Sequence, residues 1–164
     1  MEAFAGLLVA VHALTGAVFL GALLGRWIVL GLAERADTLA SMQILTSAAR
    51  PFERLVIWTS VLVLVFGIAA GIAQGRAILG PLQGAPVDWL FVSLLLFLSV
   101  LPLVRLVFLP RGRVFDVAME DAVTRGELTG ELAVAWRDPV VRAAHVYELA
   151  VVTLIFVLMV TKPF

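Results

Sequence analysis

The sequence predicts an all-α membrane protein: an up-down four-helix transmembrane bundle with amphipathic cytoplasmic connecting helices. Three observations lead there. Hydrophobic residues make up 62% of the 164 residues and mean hydropathy is +1.07, whereas soluble domains are about 45–50% apolar. Four apolar runs reach the roughly 20 residues that a helix needs to cross a bilayer. The runs are continuous, not alternating, and about twice as long as barrel strands, so membrane β-structure is excluded.

Taken in order, the first span covers about residues 3–32 and is interrupted by Arg26-Trp27. It exceeds what a span requires, so it must tilt or project. No basic stretch precedes it and no small-residue cleavage site follows it, so it reads as a retained span and not a signal peptide. The second span covers residues 55–73, with Pro51 just ahead of it. The third covers 87–109, opened by Pro86 and containing Pro102 and Arg105. The fourth covers 139–161: Asp138 is a good helix N-cap, Pro139 suits the first helical position, and Thr161-Lys162-Pro163 ends the run. All four belong to one domain spanning residues 1–164.

The connectors differ in charge. Gln74–Pro86 is short and rich in Gly and Pro. The segments on either side carry ten arginines (26, 35, 50, 54, 105, 111, 113, 125, 137 and 142), against Arg76 and Lys162 at the other end. By the positive-inside rule, both termini face outside and both charged loops face the cytoplasm. In Arg113–Thr124, Val114, Phe115, Ala118, Met119, Ala122 and Val123 recur at helical spacing, opposite Asp116, Glu120 and Asp121. That is an amphipathic helix on the membrane surface or on the bundle. Thr38–Ala49 is a weaker version, with Leu39, Met42, Leu45 and Ala48.

Small residues mark close helix contacts. Ala13, Ala17, Gly21 and Gly25 recur every fourth position in span one, as do Gly67, Gly71 and Gly75 in and after span two. In lipid, such rows let backbones approach where no hydrophobic force drives association. Trp27, Trp58, Trp89 and Trp136 fall near expected interfaces, and Asp88 is placed to cap span three.

Zero net charge gives no sign of a nucleic-acid partner, and the absence of cysteine removes thiolate chemistry. No phosphate loop, serine triad or zinc signature occurs. The chemistry-bearing residues lie in the spans. His12 and His145 are candidate haem or metal ligands; the simpler alternative is a histidine hydrogen-bonded across helices. Counted along their helices, the two differ in depth by about 9 Å, which disfavours one upright haem held by both. Glu148 is either a proton-relay carboxylate working with His145 or half of a buried ion pair with Arg142, Arg105 or Arg26. Arg26, Glu53, Arg54, Arg105, Arg142, His145 and Glu148 together form an expected polar layer in the cytoplasmic half, suited to an anionic headgroup, a quinone or simple stapling of the helices.

Two stretches carry a resemblance. VHALTGAVFLGALLG, including His12, resembles the first span of a bacterial family of predicted integral membrane proteins, a domain of unknown function, and LMVTKPF resembles its C-terminal signature. The four-span layout is similar over the whole chain. That family is distantly similar to copper-resistance protein D and to HemJ-type proteins, haem-associated protoporphyrinogen oxidases with a first-span histidine and a lysine in a later span. His12 matches the histidine; no lysine lies within a span. The resemblance implies a bacterial inner membrane location and, through the HemJ type, haem b. The residues themselves favour a non-catalytic subunit or scaffold that packs with itself or a larger membrane complex. A haem b redox protein using His12, His145 or both is second, and a small transporter with a His145/Glu148 proton relay is third.

Overall fold

The computed structural model describes residues 2–164. Six α-helices appear: α1 Glu2–Glu34, α2 Leu39–Ala73, α3 Trp89–Leu103, α4 Leu109–Arg125, α5 Gly130–Trp136 and α6 Pro139–Thr161. No strand occurs among the described residues. Four helical stretches are long and apolar enough to cross a membrane, the third being α3 and α4 joined without a break. The result is the up-down four-helix membrane bundle expected from the apolar runs.

The helix ends follow the local chemistry. The Asp88 carboxylate accepts from the Phe91 N–H at 2.9 Å and starts α3. Asp138 accepts from the N–H groups of Val140 and Val141, with Pro139 at the first position of α6. Thr38 and Thr129 cap α2 and α5 through their hydroxyls. At the far end of α4, Gly126 takes φ 72°, a left-handed turn that costs glycine no Cβ clash.

α1 packs mainly on α2, α3 on α6, and α6 also on α1. The bundle core joins Phe19, Ala22 and Leu23 of α1 to Val56 of α2, Phe97 of α3 and Val152 of α6. The Phe19 and Phe97 rings lie 6.2 Å apart. Glycines set the α1–α2 approach. A Cβ at Gly67 would lie 2.9 Å from the His12 ring, and one at Gly25 would lie 2.5 Å from Phe52.

The structure corrects the expected connectors. The segment around Thr38–Ala49 is not a separate loop helix: it is the first third of α2, which runs through Pro51 for 35 residues, about 52 Å. Arg113–Thr124 likewise continues span three. Against a hydrocarbon core of about 30 Å, both rods extend well beyond the membrane. There they build a second small core from Met42 of α2, Ala118 and Ala122 of α4 and Leu132 of α5, flanked by Phe115, Met119 and Trp136. We refer to this region as the cap. Val114 and Val123, read from the sequence as part of the same apolar face, are exposed. Trp136 is a cap residue packed on Phe115 at 5.2 Å, not a membrane-interface anchor.

The join between α3 and α4 is a π-helical turn, Val104–Phe108, in which the Leu109 N–H bonds to the Val104 carbonyl. It sits between Pro102 and Pro110. Each proline removes a backbone donor and crowds the carbonyl four residues earlier. The widened turn absorbs that conflict without breaking the rod, and its extra residue rotates everything beyond it.

Leu132 is 1% exposed at the centre of the cap. Leu132→Ala is expected to cost about 2–5 kcal/mol there while sparing the membrane core. Limited trypsin digestion should cut faster after Arg125 and Arg137 in the variant. An unchanged cleavage rate would show that the cap is not held by this cluster.

Candidate functional site

One charged pair lies inside the bundle. Arg26 on α1 is 8% exposed and Glu148 on α6 is 2% exposed, and the guanidinium donates to the carboxylate. Helix rise places Glu148 about 13 Å from the cap end of α6 and about 20 Å from the other end. Neither position reaches a headgroup, so the charges answer each other. On its other side, Arg26 lies over the Phe108 ring at 5.4 Å. Phe108 in turn stacks on His145, with ring centroids 4.7 Å apart. The centre is thus a chain of four groups, Glu148–Arg26–Phe108–His145, drawn from α1, the π turn and α6. Next to Glu148 on α6 but exposed, the Tyr147 hydroxyl meets that of Ser99 at 2.7 Å and ties α6 to α3.

Of the expected layer, the structure brings together Arg26, His145 and Glu148. Glu53, Arg54 and Arg105 are exposed and form no ion pair among the described residues. Arg142 is exposed and bonds Glu34 at 2.9 Å, near the cap. The reason is helix phase. Each three-residue step falls about 60° short of a full turn. Two steps therefore carry Arg142 about 120° away from Glu148, while His145 stays within about 60°. For α2, Phe52, Val56 and Thr59 face inward, which leaves Glu53 and Arg54 on the outer side.

His12 sits elsewhere. Its Nδ1 lies 3.0 Å from the Val63 carbonyl oxygen. A carbonyl only accepts, so Nδ1 carries the proton. The ring fills the space beside Gly67 and joins α1 to α2. Along α1, His12 is about 21 Å from Arg26, and His145 lies a further turn beyond, so about 25 Å separates the two histidines. This corrects the expected depth difference of about 9 Å, because α1 begins well above the level at which α6 ends. A haem ligated by both histidines does not fit this structure. No cluster of three or more histidine, aspartate or glutamate side chains converges among the described residues.

Several participants left no clear mark in the sequence. Phe108 is one apolar residue among many, and only the flanking prolines hint that its turn is unusual. Glu34 and the Arg111–Asp138 pair close the cap end of the bundle. Desolvation pushes the Asp138 carboxyl up. Arg111 and the N–H groups of Val140 and Val141 outweigh it and hold the group below its ordinary value. Ser93, 1% exposed, has a buried hydroxyl with no partner among the described residues.

The chain matches the family described as "Predicted integral membrane protein (DUF2269)" over residues 6–163. It belongs to that family. The match reaches into all four spans and includes His12 and Lys162. Searches of curated proteins and of solved structures each return no match.

Removing one member of a buried ion pair strands the other and costs about 3–5 kcal/mol, whereas replacing both by apolar groups is often neutral. Arg26→Met and Glu148→Leu are each expected to lower stability by that amount, and the double variant to recover most of it. Unfolding in detergent measures all four forms. Additive losses in the double variant would show that the two residues do not act as a pair.

Proposed function

We propose that this is a non-catalytic membrane scaffold, which packs laterally with itself or within a larger membrane complex. The observation that carries the reading is the outward face of α1. Ala13, Ala17 and Gly21 are exposed, and a Cβ added at Gly21 meets nothing within 4 Å. The fourth member of that row, Gly25, is used inside against Phe52. A four-residue step overshoots a full turn by about 40°, so the row winds from the outer face into the bundle. The open part offers close backbone approach to a neighbouring helix in lipid. The interior supports the same reading: Arg26 satisfies Glu148 and His12 satisfies a backbone carbonyl.

The bilayer in question is a bacterial inner membrane, with both termini outside. The family resemblance supports the membrane, and the ten-to-two distribution of basic residues supports the orientation, with the cap in the cytoplasm.

Labelled protein reconstituted into liposomes should associate, by energy transfer or photobleaching steps, at moderate protein-to-lipid ratios. Ala17→Leu combined with Gly21→Leu is expected to weaken that association about tenfold or more, since bulk at a close-packed helix contact removes the contact. A wild type that stays monomeric, in pure lipid and in native-membrane extracts alike, would end this reading.

A second reading has one observation in its favour. His145 lies one turn from Glu148, and neither of its ring nitrogens has a hydrogen-bond partner among the described residues. A carboxylate and a free imidazole so placed make a two-step proton relay. On this reading, proteoliposomes with an internal pH dye show proton flux that Glu148→Gln abolishes. Equal flux with wild type, Glu148→Gln and empty vesicles would dismiss it.

A further inference from the structure

The end of the bundle opposite the cap holds only two basic side chains, Arg76 and Lys162. They come from different parts of the chain, yet both lie over the same indole. The Arg76 guanidinium is 5.3 Å from the Trp89 ring centroid and the Lys162 ammonium is 5.7 Å from it. Trp89 is buried and begins α3, so it is a fixed platform. Both cations are exposed. Their backbones are set as well. The Lys162 N–H bonds the Leu158 carbonyl at 2.9 Å in a left-handed cap that closes α6, and Pro163 follows it. Arg76 N–H bonds the Gly71 carbonyl at 3.0 Å. Its Nε donates to Gln74 at 3.2 Å, which leaves the two terminal nitrogens free to fork.

Two like charges held against one indole repel each other, and each cation–π contact returns only about 0.5–1 kcal/mol at an exposed site. Among the described residues neither cation forms an ion pair with a carboxylate. Glu2 and Asp88 are the acidic side chains at this end. Neither forms an ion pair with Arg76 or Lys162 among the described residues, and the Asp88 carboxylate is engaged in capping α3. The elements that meet here are a span start and a span end, with a tryptophan between them, the composition of a membrane–water interface. An anionic group that meets a guanidinium fork and an ammonium together at headgroup depth is a phosphate.

We propose that Arg76 and Lys162, held over Trp89, form a binding site for the phosphate of an anionic phospholipid headgroup in the leaflet at this end of the bundle. Arg76 takes two phosphate oxygens through its terminal nitrogens, and Lys162 supplies a point charge from the other chain segment. The site ties the α2–α3 connector to the end of α6 through a lipid. It is independent of whether α1 associates with a neighbour.

Native mass spectrometry of the detergent-purified full chain, with equal amounts of phosphatidylglycerol and phosphatidylcholine, tests this. The wild type is expected to retain phosphatidylglycerol preferentially. Arg76→Gln and Lys162→Gln should each weaken that retention about fivefold, and the pair about thirtyfold. Arg76→Lys should keep part of it, and Arg111→Gln in the cap should leave it unchanged. Thermal unfolding without added lipid confirms that each variant folds. Inorganic phosphate separates the sources. If millimolar phosphate fails to displace the lipid, the headgroup is the ligand; if it displaces the lipid and raises the melting temperature by itself, the site takes a soluble phosphate. Unchanged lipid preference in Arg76→Gln/Lys162→Gln, or an equal loss in Arg111→Gln, overturns the proposal.

Discussion

Hydrocarbon does not solvate charge, and this bundle places two full charges where only hydrocarbon and protein are available. An isolated ion there costs several kcal/mol even after relaxation. Arg26 and Glu148 therefore must meet, and the requirement fixes more than two side chains. It sets the height of α1 against α6, because a slip of one residue swings either group toward lipid. It also demands a third wall. The face of Arg26 away from the carboxylate is covered by Phe108, which the π turn between Pro102 and Pro110 carries to that spot. The widened turn, costly as local geometry, thus completes the enclosure of a charge.

That dependence explains which features were legible in the residues and which were not. Spans, caps and the burial of Glu148 are local or compositional. Asp88, Asp138 and Pro139 act on neighbours within a turn, and a carboxylate in an apolar run carries its cost wherever the helix packs. The partner of Glu148 was one of three arginines by charge alone. The choice of Arg26 rests on the relative height of two helices distant in sequence, which no local signal encodes. Arg142 was misleading because three-residue spacing resembles a shared face over one step and loses it over two.

Helix ends were misread for a related reason. Pro51 marks a plausible helix start, since its ring disfavours residues before it from helical conformation. Yet Met42, on the far side of it, is buried with residues of α4 and α5, and Ala49 is fully buried. Packing of that first third of α2 with α4 and α5 outweighs the local penalty. The same holds past Leu109, where Ala118 and Ala122 extend the third span into the cap. Tertiary burial, not propensity, sets the length of these rods.

The continuity of the rods has a mechanical consequence. α2 and the joined α3–α4 pass from the membrane core into the cap with no flexible joint, so the cap cannot reorient independently of the spans. At the π turn the third rod departs from α-helical winding, and Phe108 of that turn lies against Arg26. Any rotation of α4 relative to α3 would move Phe108 off Arg26 and expose a charge. The ion pair therefore holds the cap and the membrane bundle in one relative orientation. The scaffold role proposed above would require that rigidity, since faces at the two ends present a fixed geometry to neighbours only if the rods between them do not turn.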